Sequence, residues 1–336
     1  MRINKTAYFR LDGGENIGMG HAVRCTALAT ALTNYGWSCI FLCRPNQAVN
    51  ELVTENGHLF EAIPALSLDA EAEFIDHRAS DAGAIILDSY SLSDEYIHSL
   101  NHSCRILCCI DDNALYRYSC DFVINQNLFA EELDFKTGEN VPTFLLGGKY
   151  LMLRDEFKNL KPKPVQKEVR NLFVCFGGSD INNFSTKVAE ALASIKGVQV
   201  NVVIGPSAKV PDSKLIESAT NVIFHKDPER ISDLMLDADI AIISSGSITY
   251  ECAVCGVPLI VSPQVDNQEN LAKYLSEKDL ADIIRTNDST NTIRSCIFDL
   301  MKKCDKRKLR NLDLLKLIDS NGVATIAEFI DKAAVT

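Results

Sequence analysis

Short apolar runs alternate with amphipathic stretches along the whole chain. In the first half the runs at 5–11, 38–43, 59–63, 84–88, 105–110 and 122–125 read as strands, and the stretches 21–35, 48–56, 70–80 and 93–101 read as helices. Within the first helical stretch Val23, Ala27, Leu28, Ala31 and Leu32 fall at helical spacing. Strands alternating with helices predict a mostly parallel sheet covered on both faces. Residues 158–170 interrupt the pattern with Pro162, Pro164 and a cluster of lysines and arginines, and read as a linker. The second half then repeats the logic, with strands at 171–175, 198–204, 222–224, 240–244 and 259–261 and a helix at 183–195. Helical stretches at 290–302, 305–318 and 323–333 close the chain without a strand between them. The expected fold is α/β: two Rossmann-like domains, 1–157 and 171–336, around a central cleft, with the last helix free to cross back to the first domain.

Composition narrows the function. A length of 336 residues suits two domains, because single cores stop growing near ~250–300 residues. No run approaches the ~18 apolar residues that span a bilayer, and the N-terminus lacks the apolar core of a signal peptide, so a cytoplasmic protein without a membrane partner is expected. A net charge of −11 argues against nucleic-acid binding driven by counterion release. The expected state is a monomer. Most of the 12 cysteines lie in apolar runs and read as buried small hydrophobes. Cys252 and Cys255 form a Cys-x-x-Cys pair, but no second pair or histidine pair accompanies it, and no metal site is expected.

Three strand-to-helix loops carry candidate chemistry. In the first, Gly13, Gly14, Gly18 and Gly20 lead to His21 at the start of a helix, over the carboxyl end of the sheet where open α/β folds bind ligands. Asp12 and Arg24 beside them exceed what a plain turn needs. The second loop, Gly177-Gly178-Ser179-Asp180, places backbone N–H groups and a helix N-terminus together, a combination that holds phosphate without lysine or metal. It is neither a P-loop nor a Gly-x-Gly-x-x-Gly fingerprint, which argues against a dehydrogenase. The third runs from Ser244 to Glu251: Ser245, Gly246 and Ser247 offer hydroxyls and a helix N-terminus, and Glu251 is either an acceptor for ribose hydroxyls or an acid favoured by the helix dipole. Asn267 and Gln268, a little further on, can bind sugar hydroxyls or amides or cap the following helix. Together the loops favour a nucleoside diphosphate ligand.

With these residues the chain resembles the UDP-sugar hydrolases of pseudaminic acid biosynthesis, themselves similar to the UDP-N-acetylglucosamine-using transferase of lipid II synthesis. The resemblance rests on Arg10-x-Asp12, Ile17-Gly18-x-Gly20-His21 and Arg24, on Asp88-Ser89-Tyr90, Asp111-Asp112, and Tyr150-x-Leu-x-Arg154-Asp155-Glu156-Phe157. In the second half it rests on Gly177-Gly178-Ser179-Asp180, Glu251 and Asn267-Gln268-Glu269. It implies a glycosyltransferase-type (GT-B) fold, UDP held by the second domain at Gly177, Gly178, Ser179, Ser245, Gly246, Ser247 and Glu251, the sugar in the cleft, and neither cofactor nor metal. It also implies His21 as the catalytic base and Asp12, Gly20, Arg24, Tyr90, Asn267 and Gln268 as substrate-binding residues. Ser89 stands where the family has histidine.

The implied reaction is attack of water on the anomeric carbon of UDP-2,4-diacetamido-2,4,6-trideoxy-β-L-altrose, with inversion, supplying a nonulosonic acid used on flagella or surface glycans. A positioned histidine of ordinary pKa near ~6.5 contributes roughly 10²–10⁴-fold to such a step. A neighbour such as Asp12 is expected to orient it. Two rivals remain. A glycosyltransferase shares fold and donor, but 42–56 carries no basic or apolar membrane-contact patch, Arg44 standing alone. A non-catalytic nucleotide-sugar-binding protein would not need an intact His21.

Overall fold

The computed structural model describes residues 4–14, 18–138, 141–178, 180–193, 195–205, 208–209 and 219–335. The chain divides into two compact units, Met1–Asp155 with Asp319–Thr336, and Glu156–Ile318.

The strands of the first unit are β1 (Thr6–Leu11), β2 (Ser38–Cys43), β3 (Leu59–Ala62), β4 (Ala82–Asp88), β5 (Cys104–Ile110), β6 (Arg117–Tyr118), β7 (Phe122–Asn125), β8 (Lys136–Thr137) and β9 (Thr143–Leu146). Among the described residues seven of them form one sheet in the order β3-β2-β1-β4-β5-β7-β9, and β6 pairs with β8 separately. Every pairing in the large sheet is parallel. A parallel sheet covered on both faces needs apolar runs rather than alternation, and β4 is buried at every position. Helices Gly20–Thr33, Gln47–Glu55, Leu68–Arg78 and Asp94–Leu100 connect the strands. Three of these begin where the side chain of Asn46, Ser67 or Ser93 accepts a first-turn N–H.

The helix Gly322–Val335 completes this unit. Val323, Ile326, Ala327, Ile330 and Ala334 are buried in one core with Ala7, Phe9, Leu28 and Leu32. Each buried Val or Ile of this kind contributes roughly 1.5–3 kcal/mol. Asp331 Oδ1 accepts from Lys5 Nζ at 2.7 Å and Trp37 Nε1 at 2.8 Å. The close docking needs Gly322, because a Cβ there would lie 2.3 Å from the Leu151 backbone nitrogen.

The second unit contains β10 (Asn171–Cys175), β11 (Gln199–Ile204), β12 (Val222–Lys226), β13 (Ile240–Ser244), β14 (Leu259–Ser262) and β15 (Ala281–Ile283). Its parallel sheet has the order β12-β11-β10-β13-β14-β15. Helices Phe184–Leu192, Ile231–Asp237, Ile248–Val254, Glu269–Glu277, Thr290–Lys302 and Cys304–Leu317 surround it. In each sheet the strand order reverses once, beside β1 and β4 in the first and β10 and β13 in the second. Such switch points open crevices at the carboxyl ends of the strands.

The structure departs in places from the pattern read in the sequence, the two-residue strands β6 and β8 being absent from it. β9 and β15 are absent from it too, being runs of four and three residues that alternate poorly and find their place by pairing at sheet edges. Residues 158–170, read as a linker, belong to the second unit. Lys163 Nζ donates to Asp237 O and Asp239, and fully buried Arg307 donates to the carbonyls of Gln166 and Lys167 at 2.9 and 3.0 Å. Those carbonyls lie in a segment with no ladder of its own, so a side-chain donor has to satisfy them.

All twelve cysteines are free thiols. Cys252 and Cys255 are both buried, and burial pushes the Cys255 thiol up to about 12. Among the described residues no three His, Cys, Asp or Glu side chains gather as a metal set, and no helix is long and apolar enough to cross a membrane.

Candidate active site

His21 is the second residue of the helix Gly20–Thr33, whose N-cap Met19 makes no side-chain hydrogen bond. The loop before it closes on itself, Gly14 and Gly18 exchanging backbone hydrogen bonds at 2.7 and 3.3 Å. Both glycines have positive φ, +135° and +86°, which explains their residue type. Ile17, part of the motif, lies outside the described residues. One helical turn puts Arg24 on the same face as His21. Asp88 ends β4, Tyr90 follows it, and Asp112 follows β5, so three neighbouring carboxyl ends deliver side chains to the β1/β4 switch point.

Asp88 is fully buried and organises the group. Its Oδ1 lies 2.6 Å from His21 Nδ1 and accepts from Arg24 Nη2 at 2.6 Å; its Oδ2 accepts from Arg24 Nε at 2.7 Å and Cys25 Sγ at 3.2 Å. Burial pushes this carboxyl up, but Arg24 and His21 outweigh burial and hold it well below the usual carboxylate range. An ionised carboxylate only accepts, so Nδ1 of His21 carries the hydrogen and, in the neutral imidazole, Nε2 presents a lone pair. The 3.2 Å approach of Arg24 Nη2 to Nδ1 is therefore two donors sharing one oxygen.

Arg24 spans two acids. Its Nη1 reaches Asp112 Oδ1 and Oδ2 at 2.9 and 2.8 Å. Asp112 also accepts from Tyr90 OH at 2.5 Å and Asn127 Nδ2 at 2.8 Å. The Tyr90 ring meets His21 edge-on, with centroids 4.6 Å apart and planes at 70°. Burial and then the Asp112 carboxylate push the Tyr90 phenol far up, so it remains a donor.

One expectation needs correction here. Asp12 does not orient His21; that carboxylate takes Arg10 Nη1 at 2.5 Å and the hydroxyls of Ser89 and Ser91. Arg10, itself buried, also binds Glu71 Oε1 at 2.7 Å and so anchors Asp12 away from the imidazole. Ser89, in the position of the family histidine, is part of that same Asp12 network. Gly20 opens the helix with no atom within 4 Å of where a Cβ would be, so space alone does not require glycine there. Asp88, Asp112 and Asn127 are the members of this cluster that no single motif marked as site residues. Asp88 and Asp112 did stand in the motifs Asp88-Ser89-Tyr90 and Asp111-Asp112, each at the end of a buried apolar run, but without an assigned role; nothing in the sequence marked Asn127.

In the second unit Gly177, with φ +91°, and Gly178 follow β10. The turn after β11 passes so close that a Cβ on Gly205 would be 2.4 Å from Gly178 O and 2.5 Å from its Cα. Ser179 lies outside the described residues. Asp180 corrects the expectation for this loop: its carboxylate accepts the N–H groups of Phe184 and Ser185 at 2.8 and 3.0 Å. Two N–H groups of the first turn of the helix Phe184–Leu192 are therefore already taken by a carboxylate.

After β13, buried Ser245 donates to the Gln268 carbonyl at 3.1 Å, and the Gln268 amide lies 3.4 Å from where a Gly246 Cβ would be. Gln268 Oε1 accepts the Gln264 N–H at 2.9 Å, so this side chain braces the loop, leaving Asn267 exposed in the turn Asp266–Gln268. Ser247 is exposed at the N-cap of the helix Ile248–Val254, and Glu251 is buried in its first turn. Ser245, Gly246 and Gln268 thus come together, on the far side of the β10/β13 switch point from Gly177 and Gly178.

Two doubly wound parallel units with their loops at the switch points define a GT-B glycosyltransferase fold. The chain shares that fold with the crystal structure of Acinetobacter baumannii MurG, at a TM-score of 0.69 and 16% identity over 97% of this chain and 99% of that one. CalG4, the calicheamicin glycosyltransferase, superposes at a TM-score of 0.65 with 15% identity over 99% of this chain and 98% of that one. In sequence the chain is similar to the UDP-2,4-diacetamido-2,4,6-trideoxy-β-L-altropyranose hydrolase of Campylobacter jejuni, 27% identical over 80% of this chain and 96% of that protein. It is 28% identical to the uncharacterized protein MJ1062 of Methanocaldococcus jannaschii over 76% of this chain, spanning only 55% of that relative's length. It is 25% identical to the spore coat polysaccharide biosynthesis protein SpsG of Bacillus subtilis over 80% of each chain. Residues 172–328 match a family described as of unknown function, DUF354.

Proposed function

We propose that the chain is an enzyme acting on a nucleotide sugar, a hydrolase that releases UDP from UDP-2,4-diacetamido-2,4,6-trideoxy-β-L-altrose in pseudaminic acid biosynthesis. The observation that carries the reading is the 2.6 Å contact of His21 Nδ1 with the buried carboxylate of Asp88, which leaves Nε2 as an oriented base. The 27% identity to a hydrolase of that name over 80% of the chain supplies the substrate. In the proposed step His21 Nε2 takes a proton from water as the water oxygen bonds to the anomeric carbon. The bond from that carbon to the UDP oxygen breaks, and its electron pair leaves with the phosphate. Attack from the face opposite UDP inverts the centre. UDP is assigned to the second unit, at the amides of Gly177 and Gly178, at Ser179, at Ser245, Gly246 and Ser247, and at Glu251. Tyr90, beside His21, is assigned to the sugar.

A transferase is the second reading, favoured by the likeness to glycosyltransferase structures: the same base would deprotonate an acceptor hydroxyl in place of water. The test is incubation of the protein with this UDP-sugar and EDTA, following UDP release and the anomer of the free sugar by proton NMR. Release with inversion is expected, and His21→Ala should lower the rate by about 10²–10⁴-fold. A His21→Ala rate within about threefold of the parent would exclude this base. Binding of UDP without any freed sugar would favour the transferase.

A further inference from the structure

We propose that Asp112 is a positioning residue for His21, acting through Arg24 and Tyr90 to hold the imidazole and to set the charge of the cluster that receives its proton. The inference deepens the proposed hydrolysis and rests on His21 as its base. Three donors converge on this carboxylate: Arg24 Nη1 at 2.9 and 2.8 Å, Tyr90 OH at 2.5 Å and Asn127 Nδ2 at 2.8 Å. The other edge of Arg24 binds Asp88 at 2.6 and 2.7 Å, so the guanidinium is clamped between two acids. Tyr90, tethered by its hydroxyl, packs its ring edge-on to His21 at 4.6 Å. Asp112 thereby governs both the charged neighbour and the aromatic neighbour of the imidazole.

Charge counting gives this arrangement a consequence. The groups facing His21 are Asp88 from the end of β4, Arg24 from its own helix and Tyr90 from the loop after β4; behind them stand Asp112 after β5 and the Cys25 thiol on Asp88. Burial first, and the adjoining acids next, push the Tyr90 phenol and the Cys25 thiol up, so neither adds charge. Two carboxylates and one guanidinium total −1 with a neutral imidazole and zero once it gains a proton. An amide in place of Asp112 moves these totals to zero and +1, which opposes the proton transfer in a buried site.

The test compares Asp112→Asn and Asn127→Ala in the full chain. The ¹⁵N resonances of His21, identified by their loss in His21→Gln, are followed against pH, and kcat and KM are measured on the UDP-sugar. Asp112→Asn should lower the titration midpoint of the imidazole by about one pH unit and kcat by about tenfold or more, with KM within about threefold. Asn127→Ala, which changes no charge, should leave the midpoint in place and lower kcat about two- to fivefold. A folded Asp112→Asn with an unmoved midpoint overturns the proposal. If Asp112→Asn does not fold, Asp112→Glu keeps the charge and displaces it by one methylene: a retained midpoint with reduced kcat supports the role, and full activity refutes it. Absence of UDP release from the unmutated chain would instead count against the hydrolase reading, since the imidazole titration is read without turnover.

Discussion

Asp88→Asn removes the charge from the centre of the cluster while keeping its shape. In the parent, Oδ1 serves His21 Nδ1 and Arg24 Nη2, both at 2.6 Å, while Oδ2 serves Arg24 Nε at 2.7 Å and Cys25 Sγ at 3.2 Å. An amide has one oxygen. If it faces His21, its NH₂ meets the Nε–H of Arg24 and the Cys25 thiol; if it faces Arg24, its NH₂ donates to His21 Nδ1 and the hydrogen moves to Nε2. Either way buried Arg24 is left with one carboxylate instead of two. Breaking a buried ion pair by removing one charge costs about 3–5 kcal/mol, or roughly 6–20 °C in Tm for a unit of this size. Loss of the oriented tautomer removes much of what a general base contributes, so kcat/KM should fall about 10²–10⁴-fold. Because Asp88 is held below the usual carboxylate range in the folded state, its stabilisation is fully present above the unfolded pKa of about 3.9 and is lost as pH falls toward the folded value. The Tm gap between parent and variant should therefore be constant from neutral pH down to about pH 5 and close progressively below about pH 4. Tm by circular dichroism across that range and kcat/KM by UDP release check both halves. A folded Asp88→Asn with kcat/KM within about threefold of the parent would refute the role given to His21 Nδ1.

Two further outcomes test the second unit and the closing helix. Gly205→Ala should raise the Kd for UDP by about tenfold or more and cost about 1–3 kcal/mol, because the new methyl would sit 2.4 Å from Gly178 O; calorimetric titration and thermal melting check it. Asp331→Ala deprives Lys5 and Trp37 of a shared acceptor and should cost about 1–2 kcal/mol, read as a lower Tm without a change in the UDP Kd.

Much of the architecture was legible because apolar runs in parallel strands leave a strong local signature. β2, β7, β10 and β13, and the helix Thr290–Lys302, coincide with their sequence readings to the residue. The edge strands β9 and β15 were not, since β15, for one, is three residues of ordinary composition that become a strand only by pairing with β14. The candidate site was half legible. His21 and Arg24 announced themselves through glycines and helical spacing, whereas Asp112 stood in the Asp111-Asp112 motif without an assigned role and Asn127 is an amide after a strand, like many others in the chain.

Sequence by itself determined the periodicities, hence the elements, the two parallel sheets and the loops at their carboxyl ends, because these depend on residues near one another in the chain. Only tertiary structure decided which acid meets which base. Asp12, nine positions before His21, is drawn to Arg10 and Ser89, while Asp88, 67 positions away, reaches the imidazole. That choice follows from the strand order, which places β4 next to β1 and β5 next to β4, and no local pattern encodes strand order. The same holds for Asp180, whose carboxylate takes two N–H groups of the helix that the glycine loop leads into. Hydrogen-bond partners are settled by which groups burial brings within 3 Å, and only the assembled sheet determines that.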